Sequence, residues 1–398
     1  CNLLNWLTLF GKSTAVLCTA TQPALDRLPK SENGQLRFSE QAELMGDPKA
    51  LGALFDQLSR VVIENCCKAG GWGEDEVTEL IVNQFTQTQS VLVVVNTKNW
   101  ARQLYEACQN SVMRNSLFHL STSQCAKHRE VLLRRIKRRL ICGLPVLCIS
   151  TQLIEAGVDV SFACVVRALA GLDSIAQAAG RCNHHGATDK GQVIVINLQN
   201  EHLHSLPDIE IGQRQTERIL SEISHGEWLK PESVSRYFHY YFFQHEREKE
   251  LTYPVRTHNR DSLLNWLSIN RLNNYGFKND KRFQAKKFPL LMQSFRSAAH
   301  EFKAIDAPTQ AVIVPYGRGV EIIRELCGTW DPLLFRQLLR EAQRYSVNVF
   351  PSGWTQLESE GALHLIGEPG IYYLNQTFYD PSFGLASKKV VNMPTYSV

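Results

Sequence analysis

No stretch of this 398-residue chain approaches the roughly 20 consecutive apolar residues that a bilayer-spanning helix needs. No charged start leads through a short apolar core to a small-residue cleavage site either. A cytoplasmic protein without a membrane partner is therefore expected. The 11 cysteines include no C-x-x-C pair and keep no regular spacing. Cys18, Cys148 and Cys164 lie in apolar strand-like runs, where they are expected to pack as small hydrophobes in a reducing compartment. Neither an internal repeat nor a low-complexity tract is present, and no metal site is read from the sequence. Charge of one sign is not in large excess: the net charge is +4, which permits an anionic partner without requiring one.

A further absence concerns Gly11-Lys12-Ser13-Thr14. Gly-Lys-Ser/Thr closes the phosphate-cradling loop of nucleotide hydrolases, but that loop needs a second glycine five positions earlier, and Trp6 stands there. The flanks also run in the wrong order. The preceding LLNWLTLF reads as a helix that stops at Gly11, and the following AVLCT reads as a strand.

What is present is a βαβ rhythm. Strands are predicted at 60–65, 90–96, 116–121, 145–151, 163–169 and 192–198, and helices near 74–87, 98–110, 125–142 and 172–182. The fold class is α/β, a RecA-like doubly wound parallel sheet followed by a mixed, mainly helical accessory domain. Three regions are expected: 1–59, a remnant of an earlier sheet plus a Pro-containing connector; 60–225, the doubly wound domain; and 226–398, the accessory domain. The chain starts at Cys1 inside a helix-like stretch and is expected to be a piece of something longer.

The most specific segment is residues 150–186, STQLIEAGVDVSFACVVRALAGLDSIAQAAGRCNHHG. A strand ends at Ser150-Thr151, Gly157-x-Asp159 follows, and a helix carries Gln177, Gly180 and Arg181. Hydroxyls at strand ends suit a sugar-phosphate backbone, which they position without reading sequence. Asn96-Thr97 and Ser121-Thr122 stand at two more strand ends, where a parallel sheet places ligands. Alone, the first pair reads more often as a simple strand-to-helix cap. In the superfamily 2 helicase motifs that this segment resembles, a guanidinium at the place of Arg181 spreads charge on a γ-phosphate, an effect worth about 10³ to 10⁵ in rate.

In order, these segments resemble motifs III to VI of superfamily 2 helicases, with Thr19-Ala20-Thr21 in LCTATQPAL as motif III. The finer wording resembles the CRISPR-associated helicase-nucleases of type I systems, with a subtype I-C-like pattern. It includes NTKNWARQLYEA, HLSTSQCAKHRE, LDSIAQAAGRCNHHG and, downstream, FRSAAHEFKAIDAPTQAVIVPYGRG and LLREAQRYSVNVF. The resemblance implies an ATP-driven motor on single-stranded DNA, recruited by an RNA-guided surveillance complex. It implies ATP contacts at Gly157, Asp159, Gln177, Gly180 and Arg181, with Arg181 and His184 in catalysis. Strand contacts fall at Asn96, Thr97, Ser121, Thr122, Ser150 and Thr151, and interdomain coupling at Thr19, Ala20 and Thr21. ATP and Mg2+ are implied as cofactors shared with a first RecA-like domain. That domain and a metal-dependent HD nuclease are implied as N-terminal partners.

The chain departs from the family pattern. It has no His-Asp dipeptide, no complete phosphate loop and no Asp-Glu-x-His box, so it is not expected to hydrolyse ATP by itself. In motif VI the usual second arginine is His184, and an imidazole is shorter than a guanidinium and mostly uncharged at neutral pH. A module that binds DNA or docks on the complex without hydrolysis is the alternative. His202-x-His204 reads as a solvated loop. The basic helix KHREVLLRRIKRR reads as either a DNA-channel wall or a solvated face. The aromatic run 236–243 reads as internal packing, and the basic run 278–288 as a DNA candidate.

Overall fold

In this computed structural model, residues 2–19, 48–155, 157–224, 226–242, 293–303, 308–367 and 370–390 are described, with short pieces at 21, 25–27, 35–39, 42, 44, 253, 255, 261–267 and 270. Ala20 and the basic run 278–288 lie outside the described residues, as does Phe243 of the aromatic run. The chain divides into two compact units, one of residues 1–57, 221–223 and 227–306, the other of residues 58–220, 224–226 and 307–398.

The second unit holds the βαβ region. Its six strands are β1 (Val61–Asn65), β2 (Ser90–Val94), β3 (Leu117–Leu120), β4 (Val146–Ser150), β5 (Cys164–Ala168) and β6 (Gly191–Ile196). They form one parallel sheet in the order β1-β6-β5-β2-β4-β3. Every residue of β3, β4 and β5 is buried, which is why these strands read as continuous apolar runs and not as alternation. Helices Glu74–Thr88 and Lys98–Cys108 cover one face, and Val77, Ile81 and Leu104 pack there with Val93 and Val166. Local chemistry sets their ends. Glu76 accepts the Gly73 N–H at 2.9 Å at the first helix start, three acidic residues occupy its opening turn, and Gln89 ends it at φ 58°. The Thr97 hydroxyl caps the second helix by accepting the Trp100 N–H at 3.3 Å.

The same unit contains a second, mixed sheet, β8-β7-β10-β9, from β7 (Gln310–Ile313), β8 (Ser346–Val349), β9 (Leu363–Leu365) and β10 (Tyr372–Leu374). Residues 307–398 thus fall in the same unit as the first sheet, whereas 226–398 was expected as one accessory domain. The Tyr379 hydroxyl accepts the Cys125 N–H at 3.2 Å and lies 3.0 Å from His128 Nδ1. Gln124 Nε2 donates to the Ser382 carbonyl at 2.7 Å, and the His128 ring stacks on Tyr316 with centroids 4.1 Å apart.

The first unit is helical in its described residues, with helices Asn2–Leu9, Pro48–Leu58, Pro231–Phe242, Leu263–Leu267 and Phe295–Glu301. The first of these matches LLNWLTLF, while helix Pro48–Leu58 stands where a connector was expected. The strand expected at AVLCT does not form: residues 15–19 carry no regular structure and are exposed, Cys18 included. A strand needs a neighbouring edge for its N–H and C=O groups, and none pairs with this stretch among the described residues. In the aromatic run Tyr237 and Phe238 are buried, so these two pack internally. No helix among the described residues is long and apolar enough to cross a membrane.

Candidate nucleotide and nucleic-acid site

Beyond Ser150 the chain turns through a short 3-10 segment, Gln152–Ile154, and reaches Gly157 at φ +71°. A side chain at Gly157 would be strained by this backbone, although the space around it is open. Gly157, Asp159, Gly180 and His184 are exposed, and Gln177 and Arg181 half-exposed. Parallel pairing of Phe162 with Cys182 draws the two halves of the motif together: Phe162 N–H donates to Arg181 O at 2.9 Å, and Asn183 N–H to Phe162 O at 2.8 Å.

The Arg181 guanidinium reaches back to the turn after β4. Its Nε donates to the Ile154 carbonyl at 3.3 Å and its Nη2 to the Glu155 carbonyl at 2.7 Å. One edge of the fork is thus used inside the protein, and Nη1 has no hydrogen-bond partner among the described residues. Arg181 shares no contact with Asp159. Asp159 instead pairs with Lys137 Nζ at 2.7 Å and faces His185 at 3.9 Å. The Lys137 hydrogen bond and charge hold its carboxyl below the usual range, helped by the two imidazoles.

The strand-end residues behave differently from expectation. Asn96 is buried and its amide is saturated: Nδ2 donates to the Leu169 carbonyl at 2.8 Å and to Glu201 at 3.2 Å, while Oδ1 accepts from Arg167 at 2.8 Å and Gln152 at 3.3 Å. Ser121 is buried in a turn where its hydroxyl accepts the Ser123 N–H at 3.3 Å. Ser150 is buried and donates to the Thr151 carbonyl at 2.8 Å, and Thr151 is buried as well. The Asn96, Ser121 and Ser150 side chains serve the fold, because a polar group sealed among strands must find its partners there. Thr122 is exposed and Thr97 half-exposed. Thr19 and Thr21 close a local turn in the other unit, with Thr19 Oγ1 donating to Thr21 O at 2.9 Å.

Behind the exposed residues lies a buried polar network that the sequence did not announce. Arg167 on β5 is fully buried. It places Nε 2.9 Å from Glu155 Oε1, out of line for a hydrogen bond, and donates from its Nη atoms to Asn96, the Ala168 carbonyl and Ser174. Ser174 donates to Glu155 Oε2 at 2.7 Å. Burial raises the Glu155 pKa despite the Arg167 charge, and raises that of Glu201, which accepts from Asn96 and from Gln213 at 3.0 Å. Arg167 sits in an apolar run, and its side-chain partners stand 71 and 12 residues before it and seven after, so no local spacing reveals them.

On the basic helix Ala126–Ile141, Arg134 pairs with Glu130, Lys137 with Asp159, and Arg139 with Ser116 and the Pro145 carbonyl. Arg135 and Arg138 are exposed and carry no ion pair among the described residues. His202 and His204 are exposed and join no metal-binding cluster there.

The parallel sheet and the loop clasped by Arg181 define a RecA-like α/β lobe. Residues 87–187, which hold most of this site, match the family model of the CRISPR-associated nuclease/helicase Cas3, C-terminal. A 57-residue stretch, 14% of this chain and 6% of its relative, is 54% identical to the CRISPR-associated nuclease/helicase Cas3 of Haloferax volcanii. The fold is similar to the crystal structure of T. fusca Cas3-ADP, with a TM-score of 0.52 at 12% identity over 82% of this chain and 42% of that one. T. fusca Cas3-AMPPNP gives a TM-score of 0.51 at 13% identity over the same shares. The chain thus resembles the C-terminal portion of Cas3, and it spans about two fifths of the length of these solved relatives.

Proposed function

We propose that the chain is the C-terminal part of an ATP-dependent DNA helicase-nuclease that moves along single-stranded DNA in CRISPR antiviral interference. The observation that carries this reading is the overlap of the Cas3-like segment 87–187 with the exposed residues Gly157, Asp159 and Gly180 and the half-exposed Gln177 and Arg181. These residues fit one side of a nucleotide. Open space surrounds Gly157, and Arg181 keeps Nη1 free of internal partners. They would hold ATP from this lobe, and a first RecA-like domain would supply the phosphate loop and the Mg2+ carboxylates. ATP, when bound, supplies the phosphoryl transfer that drives translocation. Arg181, held by two carbonyls, offers a guanidinium whose position is set before any nucleotide arrives, which is what charge stabilisation in a transition state requires. Thr97, Thr122, Arg135 and Arg138 are the strand contacts that remain available, and an RNA-guided type I surveillance complex is the recruiting partner.

Two observations favour a second reading, a module that binds DNA or docks on that complex without hydrolysis. His184 supplies no guanidinium, and Arg181 spends one edge of its own internally. The two readings separate in a titration of single-stranded DNA against the protein with its preceding domains, with and without a non-hydrolysable ATP analogue. A motor changes its DNA affinity when the analogue binds; identical affinities in both conditions support the second reading.

A further inference from the structure

We propose that Asp159, His184 and His185 form a binding site for one divalent transition cation of the zinc type. Each residue offers a ligand atom, and the three atoms lie within 4.8 Å of one another on the exposed surface of the second unit. Two imidazoles and one carboxylate form a donor set suited to Zn2+, Co2+, Ni2+ or Cu2+, and not to Mg2+ or Ca2+, which take oxygen ligands.

The backbone explains how consecutive histidines come to face one carboxylate. Asn183 at φ 47° and Gly186 at φ +67° bracket a turn closed by the Gly186 N–H on the Asn183 carbonyl at 3.0 Å. The turn is fixed from outside. Arg60 Nη1 donates to the His184 carbonyl at 2.7 Å, and the His185 N–H donates to Ser161 Oγ at 3.4 Å. Asn183 is buried, with its amide donating to the Thr188 carbonyl at 2.7 Å and the Arg60 carbonyl at 3.2 Å. Both rings project from this held turn, with centroids 5.2 Å apart and planes inclined by 56°.

Asp159 is divided between two neighbours. Its Oδ2 takes Lys137 Nζ at 2.7 Å, while Oδ1 faces His185 Nε2 at 3.9 Å. A cation would therefore bind through Oδ1 and leave the lysine on the other oxygen. Tetrahedral zinc with bonds near 2.1 Å holds its ligand atoms about 3.4 Å apart. Rotamer changes of these exposed side chains over about an ångström close that gap. Three protein ligands leave a fourth position for water or an incoming ligand, as in zinc sites that are not purely structural.

The cation site stands independently of the motor reading, because its test uses no nucleotide and no DNA. Zinc is titrated into the chain against a chromophoric chelator, and Co2+ absorption reports the donor set. One equivalent is expected, weakened at least about tenfold in Asp159→Asn, His184→Ala and His185→Ala. All three positions are exposed, and thermal melts verify that the variants remain folded. Lys137→Ala should bind zinc at least as tightly, since it removes an ammonium beside the ion. The proposal is overturned by a wild-type chain that takes up no stoichiometric zinc, or by a His184→Ala/His185→Ala double variant that retains it through other histidines or cysteines. Loss of binding in Lys137→Ala would overturn the assignment to Oδ1.

Discussion

A charge sealed inside a sheet is costly to leave alone and cheap to remove together with its partner. Arg167 and Glu155 are such a pair, with side chains 0% and 6% exposed. Their partners reach from Asn96 after β2 to Ser174 on the helix after β5, so the pair braces the turn whose carbonyls hold Arg181. Arg167→Ala should destabilise the protein by about 3 to 5 kcal/mol in denaturant unfolding, because Glu155 is left uncompensated. Arg167→Leu with Glu155→Leu should cost much less than the single change. A double variant as unstable as Arg167→Ala would mean that the hydrogen bonds to Asn96 and Ser174, and not the buried charge, set the cost. At this scale the sequence was only partly legible. Gly157, Asp159, Gly180 and Arg181 stood out by spacing, but burial decides whether a strand-end hydroxyl meets a ligand or its own backbone. Spacing carries no burial information, so Asn96, Ser121, Ser150 and Thr151 looked like Thr122.

Among the elements, the basic helix Ala126–Ile141 is the one proposed to meet DNA. Its clustered charge reads as either a DNA-channel wall or a solvated face, and internal partners neutralise or occupy Arg134, Lys137 and Arg139. Arg135 and Arg138 are left to act. Each phosphate contact on a single strand contributes about 0.7 to the slope of log affinity against log salt. Replacing both arginines with glutamine should flatten that slope by about 1.4 in single-stranded DNA titrations across a range of NaCl. Weaker binding with an unchanged slope would show that the helix affects DNA through structure alone. The six strands and four helices of the βαβ region were read within a few residues of their observed bounds, since long buried runs between amphipathic stretches leave few alternatives. AVLCT misled for the opposite reason: a short apolar run becomes a strand only if another strand accepts it.

Over the whole molecule, the division into units was the least legible feature. Sequence reading assigns domains as contiguous stretches, whereas residues 307–398 rejoin 58–220 in one unit. The contacts that bring them together include His128 on Tyr316 and Tyr379, His119 edge-on to Phe383 with ring centroids 5.2 Å apart, and the Leu385 N–H on the Ser123 carbonyl at 2.8 Å. Burial lowers the pKa of both histidines to about 4. They are neutral in the fold, but each takes up a proton near pH 6.5 once unfolded. Between those values the unfolded chain binds more protons, so this contribution to stability is complete above about pH 6.5 and is lost as pH falls towards 4. Melting temperatures measured over that window should fall for the wild type and fall less for His128→Phe. Parallel curves for the two proteins would remove His128 as a cause.

The proposed role of Arg181 is to serve a nucleotide held jointly with another lobe. It is tested most directly by DNA-stimulated ATP hydrolysis in the protein carrying its preceding domains, wild type against Arg181→Lys. Lysine keeps the positive charge but loses the planar fork. The expected result is a fall in turnover on the order of 10³ with ATP still bound; equal turnover in the two proteins would contradict that role.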